Sequence, residues 1–184
     1  FGKSTTAASL QARGHPLVAD DVLPVTVNGG ATVWPGYPQL KIWPEAAEAA
    51  LGDDPERLQN LHERVSKKSR TARGAAPNVP LSLEAVYVLD RGETLQVTKR
   101  SNTDGFLELL RHTYAADQLN EGDDAAAAHR LKQYTALAEA VAVRTLTRPR
   151  DLSSLDALAR LIERDVRHRG ESAREVRTAP AVHG

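Results

Sequence analysis

Phe1-Gly2-Lys3-Ser4-Thr5-Thr6 sets how the rest of the chain is read, because it ends as G-x-x-x-x-G-K-[ST] ends and runs straight into a helix-forming stretch. In a loop of that type, successive backbone N–H groups at a helix start wrap phosphate oxygens. The lysine reaches the β- and γ-phosphates, and the first hydroxyl ligates magnesium. Gly2, Lys3, Ser4 and Thr5 are therefore candidate nucleotide-binding residues, with Lys3 for phosphate and Ser4 for the metal. The sequence holds only the second half of the motif, without its first glycine or the preceding strand, and an ordinary helix N-terminus is the competing reading.

The residues that follow, through Asp21, favour the loop. Ser4 to Arg13 is rich in small and helix-favouring residues, Gly14 supplies a stop, and His15-Pro16-Leu17-Val18-Ala19 predicts a short buried strand ending on Asp20-Asp21. Outgoing helix and returning strand each span about 16 Å, at ~1.5 Å and ~3.3 Å per residue. The carboxylates thus come back to the level of the phosphates. One of Asp20 and Asp21 can orient or deprotonate an attacking hydroxyl while the other serves magnesium directly or through water. An Asp pair making a solvated turn is the alternative.

Gly2 to Ala8, Arg13-Gly14-His15 and Val18-Ala19-Asp20-Asp21 together resemble the catalytic core of HPr kinase/phosphorylase and its relatives, which phosphorylate a serine on a protein or peptide. The resemblance implies an α/β fold of the P-loop, PEP-carboxykinase-like kind, a mixed sheet with flanking helices, here followed by a helical C-terminal part. It implies ATP and Mg2+ as cofactors, Asp20 as the proton acceptor for the substrate serine, Lys3 as the phosphate-binding lysine and Ser4 as the magnesium-binding hydroxyl. Two features of the family have no match: the catalytic histidine upstream of the loop, and a magnesium-binding glutamate, for which Gly36 to Pro44 offers no counterpart before Glu45. Pro35-Gly36-Tyr37-Pro38-Gln39-Leu40 and the later Leu81–Leu89 segment look more like the HPr-kinase-like enzymes found beside natural-product peptide genes, including lasso-peptide clusters. Family members assemble as hexamers, so the resemblance allows a homo-oligomer without specifying an interface.

Composition narrows the partners. The 184 residues suffice for one domain with a sizeable core, read here as a kinase domain over 1–169 and a polar, flexible tail over 170–184. Without methionine, and with the loop cut at its start, the chain is expected to be part of a longer protein whose preceding residues hold the first strand and glycine. Cysteine is absent, which excludes disulfides and thiolate metal sites. Lysine plus arginine and aspartate plus glutamate both number 24, so no net charge draws the chain to nucleic acid. No apolar run approaches membrane-spanning length and no signal-like segment is visible, which predicts a cytoplasmic protein without membrane association.

Asn28-Gly29-Gly30 predicts a hairpin between Val22–Val27 and Ala31–Trp34, after which the proline-rich segment to Pro44 crosses the surface. Short helices are expected over Glu45–Leu51, stopped at Gly52, and over Pro55–Val65. Leu81–Leu89 and Thr94–Thr98, joined by Asp90-Arg91-Gly92, read as a second hairpin. Then Phe106, Leu109, Leu110 and Tyr114 share one helical face, as do Leu131, Tyr134, Leu137 and Val141. Val141–Leu146 suggests a late strand, and Leu155, Leu158, Ile162 and Val166 form a last helical stripe, with Ser153 and Asp156 spaced as a capping box.

Three further segments bear on chemistry. The basic run Ser66 to Gly74 lies between an expected helix and an expected strand, where a mobile loop could fold over ATP and present a guanidinium to phosphate oxygens. HPr kinases place a catalytic arginine in such a loop, and Arg73 is the choice here; a solvated loop is the plainer reading. Trp34, Tyr37 and Trp43 could bury as core or form a peptide groove or base-stacking shelf. Arg148-Pro149-Arg150-Asp151 could touch phosphate at the start of the last helix, though a structural loop capped by Asp151 accounts for it as well. The expected activity is an ATP-dependent serine kinase whose partner is a small protein or peptide with a serine acceptor, such as a natural-product precursor peptide. A nucleotide-sensing module without turnover and a small-molecule kinase are the rivals.

Overall fold

Helix α1 (Lys3–Ala12) forms where the small residues after Lys3 predict it, and its buried side presents Thr6, Ala8, Ser9 and Gln11. The computed structural model describes residues 2–62, 65–71, 76, 78–113 and 124–178; Tyr114 and Arg73 lie outside them. Among the described residues the chain is a mixed α/β arrangement of five α-helices and three small sheets. No described helix is long and apolar enough to cross a membrane.

The first hairpin is present, with β1 (Val25–Val27) antiparallel to β2 (Ala31–Val33) around Asn28-Gly29-Gly30, and β6 (Leu81–Ser82) on the other side of β2. The expected strand at His15–Ala19 is an extended passage with a single bridge at the buried Leu17. Val18 lends its carbonyl to the Gly36 N–H at 2.8 Å, so this segment is tied to the proline-rich loop rather than to a regular ladder.

That loop does more than cross the surface. Its end is strand β3 (Gln39–Ile42), whose Leu40 and Ile42 are fully buried against α1 and helix α2 (Pro44–Leu51). Helix α2 ends at Gly52, whose φ of 63° is the left-handed conformation a helix stop needs. The helix expected over Pro55–Val65 is replaced by one 3-10 turn, Pro55–Arg57, and strand β4 (Gln59–His62). Leu58, Leu61 and Val65 have helical spacing, but pairing with strand β5 (Val65–Thr71) overrides that local preference.

Strand β5 corrects the reading of the basic run as a mobile loop. It is the centre of the β3-β5-β4 sheet, and its cations have partners. Arg70, buried, donates to Asp53 and to Gln11 Oε1; Lys68 Nζ donates to Asn60 Oδ1 at 2.7 Å; Lys67 lies 5.8 Å from the centre of the Trp43 ring. Alternation lets β5 place charges against partners on both faces, which a charge count along the chain does not reveal.

The second expected hairpin is also rearranged. Strands β7 (Ala85–Arg91) and β8 (Gln96–Lys99) do not pair with each other, because β9 (Ala142–Arg148) lies between them, parallel to β7 and antiparallel to β8. Helices α3 (Asn102–Arg111) and α4 (Asp124–Ala140) belong to the long connection that brings the chain back for this. Against the sheet packs helix α5 (Leu155–Thr178), with Leu155, Leu158 and Ile162 buried beside Leu146. The helix takes in 170–178, part of the stretch that composition reads as a polar tail. A 3-10 turn at Leu152–Ser154, capped by the Asp151 carboxylate, stands in place of the expected capping box.

Candidate functional site

The site is built around the first turn of α1. Gly2 caps the helix with φ 96°, and Thr6 N–H makes the first helical bond, to Gly2 C=O at 2.9 Å. The N–H groups of Lys3, Ser4 and Thr5 therefore precede the ladder, and no side chain caps them. Lys3 is exposed, while Gly2, Ser4 and Thr5 are half-buried.

Ser4 Oγ donates to Asp20 Oδ1 at 2.9 Å across sixteen residues of sequence, so the helix start and the acidic pair share one locus. The other carboxylate oxygen of Asp20 accepts from the backbone N–H of Lys41 at 2.8 Å, which fixes the orientation of the group. Asp21 accepts from Lys41 Nζ at 2.6 Å. That hydrogen bond holds the Asp21 carboxyl below its usual range against the opposing effect of desolvation, with Lys41, Lys3 and Lys67 adding their charge; the same contact raises the Lys41 ammonium. Lys41 has no signature in the sequence: it is one of several surface cations, brought here because β3 runs beside the end of the returning segment.

On the same turn, Gly2 and Thr5 line a cavity of about 660 Å³ that Lys3, Ser4 and the two aspartates do not line. It opens at the carboxyl ends of the parallel strands β7 and β9, where Arg91 and Arg148 are register partners. Trp43, Glu45, Asp90 and Arg150 also line it. A Cβ built on Gly2 would overlap Arg148 Nη2 and come within 2.8 Å of its Cζ, so a side chain there would push this guanidinium off the helix start. Arg148 thus faces the start of α1, not the start of the last helix as its sequence position suggests.

Arg73, the candidate from the basic run, lies outside the described residues. Trp34, Tyr37 and Trp43 are 49%, 72% and 37% exposed, so none of the three forms core. His15 Nε2 meets Glu163 Oε1 at 2.9 Å, beside the bidentate pair that Arg13 makes with the same carboxylate, and so ties α1 to α5 away from the aspartates. Among the described residues no group of three or more histidine, aspartate or glutamate side chains could hold a metal alone. In comparisons with protein-family models, with curated proteins and with solved structures, nothing matches this chain.

Proposed function

We propose that the chain is an ATP- and magnesium-dependent serine kinase acting on a small protein or peptide, built on a P-loop, PEP-carboxykinase-like variant of its mixed α/β arrangement. One observation carries this reading: the Ser4–Asp20 hydrogen bond, which unites the half-motif at the helix start with the acidic pair. An ordinary helix N-terminus has no need of a carboxylate returned to its second residue.

The donor set fits a hard cation. Ser4 Oγ and the Asp20 and Asp21 carboxylates are all oxygen ligands, and magnesium is commonly held by one or two protein oxygens, phosphates and water rather than by a full protein cage. Ser4 and Asp21 would hold the ion, which when bound neutralises charge on the phosphates. The chain's own residues do the rest. Lys3 and the free N–H groups of the first turn hold the phosphate chain. Asp20, oriented by the Lys41 amide, aligns the substrate hydroxyl and takes its proton as the serine oxygen bonds to the γ-phosphorus and the bond to the β,γ-bridging oxygen breaks, releasing ADP.

The test is phosphate transfer from γ-labelled ATP to serine-containing peptides, with the full chain. Asp20→Asn is expected to slow transfer by about 10²–10⁴-fold while leaving ATP affinity within about threefold. ATP binding without transfer to any peptide would instead mark a nucleotide-sensing module.

A further inference from the structure

We infer that Arg148, over the first turn of α1 and flanked by Arg91 and Arg150, forms a phosphate-binding subsite for the ligand held by that turn. The inference rests on the kinase reading only for the identity of that ligand, a nucleoside triphosphate. Its geometry is independent of that reading.

The first ground is the company Arg148 keeps. Four half-buried or buried arginines meet a carboxylate: Arg70 with Asp53, Arg144 with Asp165 at 3.0 Å, Arg100 with Glu108 at 3.4 Å and Arg13 with Glu163 at 2.8 Å, while Arg169 donates to the Glu84 carbonyl. Arg148 has no carboxylate partner among the described residues, and burial followed by the nearby Arg91 charge depresses its guanidinium. Glu45 and Asp90 also line the cavity, yet neither makes an ion pair with it.

Strand register is the second ground. Arg91 and Arg148 are directly opposed on parallel strands, so their side chains leave the sheet on one face. Both guanidiniums line the cavity, so an anion there meets two positive charges. A third ground is position. The carboxyl ends of parallel strands are where open α/β sheets receive ligands, and here those ends face uncapped N–H groups across a cavity roomy enough for a nucleotide. Gly2, with no side chain, lets the guanidinium approach the backbone that would hold the same phosphate. The exposed face of Trp43 on the cavity wall offers a flat surface for a base.

Calorimetry on the full chain with two probes, Mg·ATP and inorganic tripolyphosphate, tests this. Arg148→Gln should weaken both by about tenfold or more. Because it removes a partly buried charge that meets no carboxylate among the described residues, it should not lower the melting temperature of the unliganded protein, whereas loss of a merely structural arginine would. Arg148→Lys keeps the charge but not the planar fork and should recover only part of the affinity; it also serves if the glutamine variant folds poorly. Wild-type affinity for both probes in either variant would overturn the inference and leave the kinase reading standing. Arg148-dependent binding of tripolyphosphate without binding of ATP would sustain the subsite and remove the nucleotide. Binding of neither probe by the wild-type chain would overturn the subsite.

Discussion

Gly2 is the residue on which the most constraints converge. It holds φ at 96° and it lies under the Arg148 guanidinium, so an added methyl group is strained by the backbone and pushes that guanidinium aside. Gly2→Ala should lower stability by about 1–2 kcal/mol from the left-handed conformation alone. Displacement of Arg148 should also weaken triphosphate binding. Thermal unfolding and calorimetry read the two effects separately, and unchanged values in both would mean that the cap is not held as described. Ser4→Ala offers a companion measurement: it removes the donor to Asp20 and should reduce magnesium-dependent ATP affinity more than magnesium-free affinity, since the hydroxyl belongs to the proposed ion site.

At the scale of elements, two ties hold the site in place. The first joins α1 to α5 through Arg13, His15 and Glu163, and the Arg13 hydrogen bonds, followed by that from His15, bring the Glu163 carboxyl down from 4.5 to about 2. A carboxyl depressed on folding stabilises the native state fully above its unfolded value. Its contribution fades as pH falls from about 4.5 towards 2. The gap in melting temperature between the wild type and Glu163→Gln should therefore be widest near neutrality and close through that window. A gap that is constant down to pH 2 would show that the charge plays no part.

The second tie joins α1 to β5, where Arg70 bonds both Gln11 and Asp53 with little access to water. Asp53→Ala leaves that guanidinium buried without its counter-charge and should cost about 3–5 kcal/mol in chemical denaturation. Replacing both residues with apolar ones should cost much less. Strand β5 is legible in the sequence as a basic run but not as a strand, because lysine and arginine have weak strand preference and their partners come from β4, α1 and the segment after α2.

At the scale of the molecule, the described residues form three apolar clusters, of which the one between the β7-β9-β8 sheet and α5 joins the site's two sides. Leu158, fully buried at its centre, should cost about 2–5 kcal/mol when cut to alanine, with the unfolding midpoint in urea as the measure. A loss well under 1 kcal/mol would mean that α5 is not packed on the sheet as described. The connection from β7 through β8, α3 and α4 back to β9 also sets what could be read in advance. Leu81–Leu89 and Thr94–Thr98 look like adjacent strands because a turn joins them, and nothing local announces that a strand some fifty residues further on separates them.

Local chemistry along the chain suffices for the helix after Gly2, the β1–β2 turn, the stop at Gly52, the apolar stripe of α5 and the late strand β9, because each arises from backbone preference or from periodicity within a few turns. It also singles out Ser4 and Asp20, since a matched helix-and-return length can be counted in residues. Three features come from the folded chain and from nothing nearer: Lys41 contacts both aspartates, β5 is a strand with paired charges, and Arg148 leaves β9 to lie over Gly2. Those contacts join residues far apart in sequence, and their energies arise only when sheet pairing and core packing have brought the segments together.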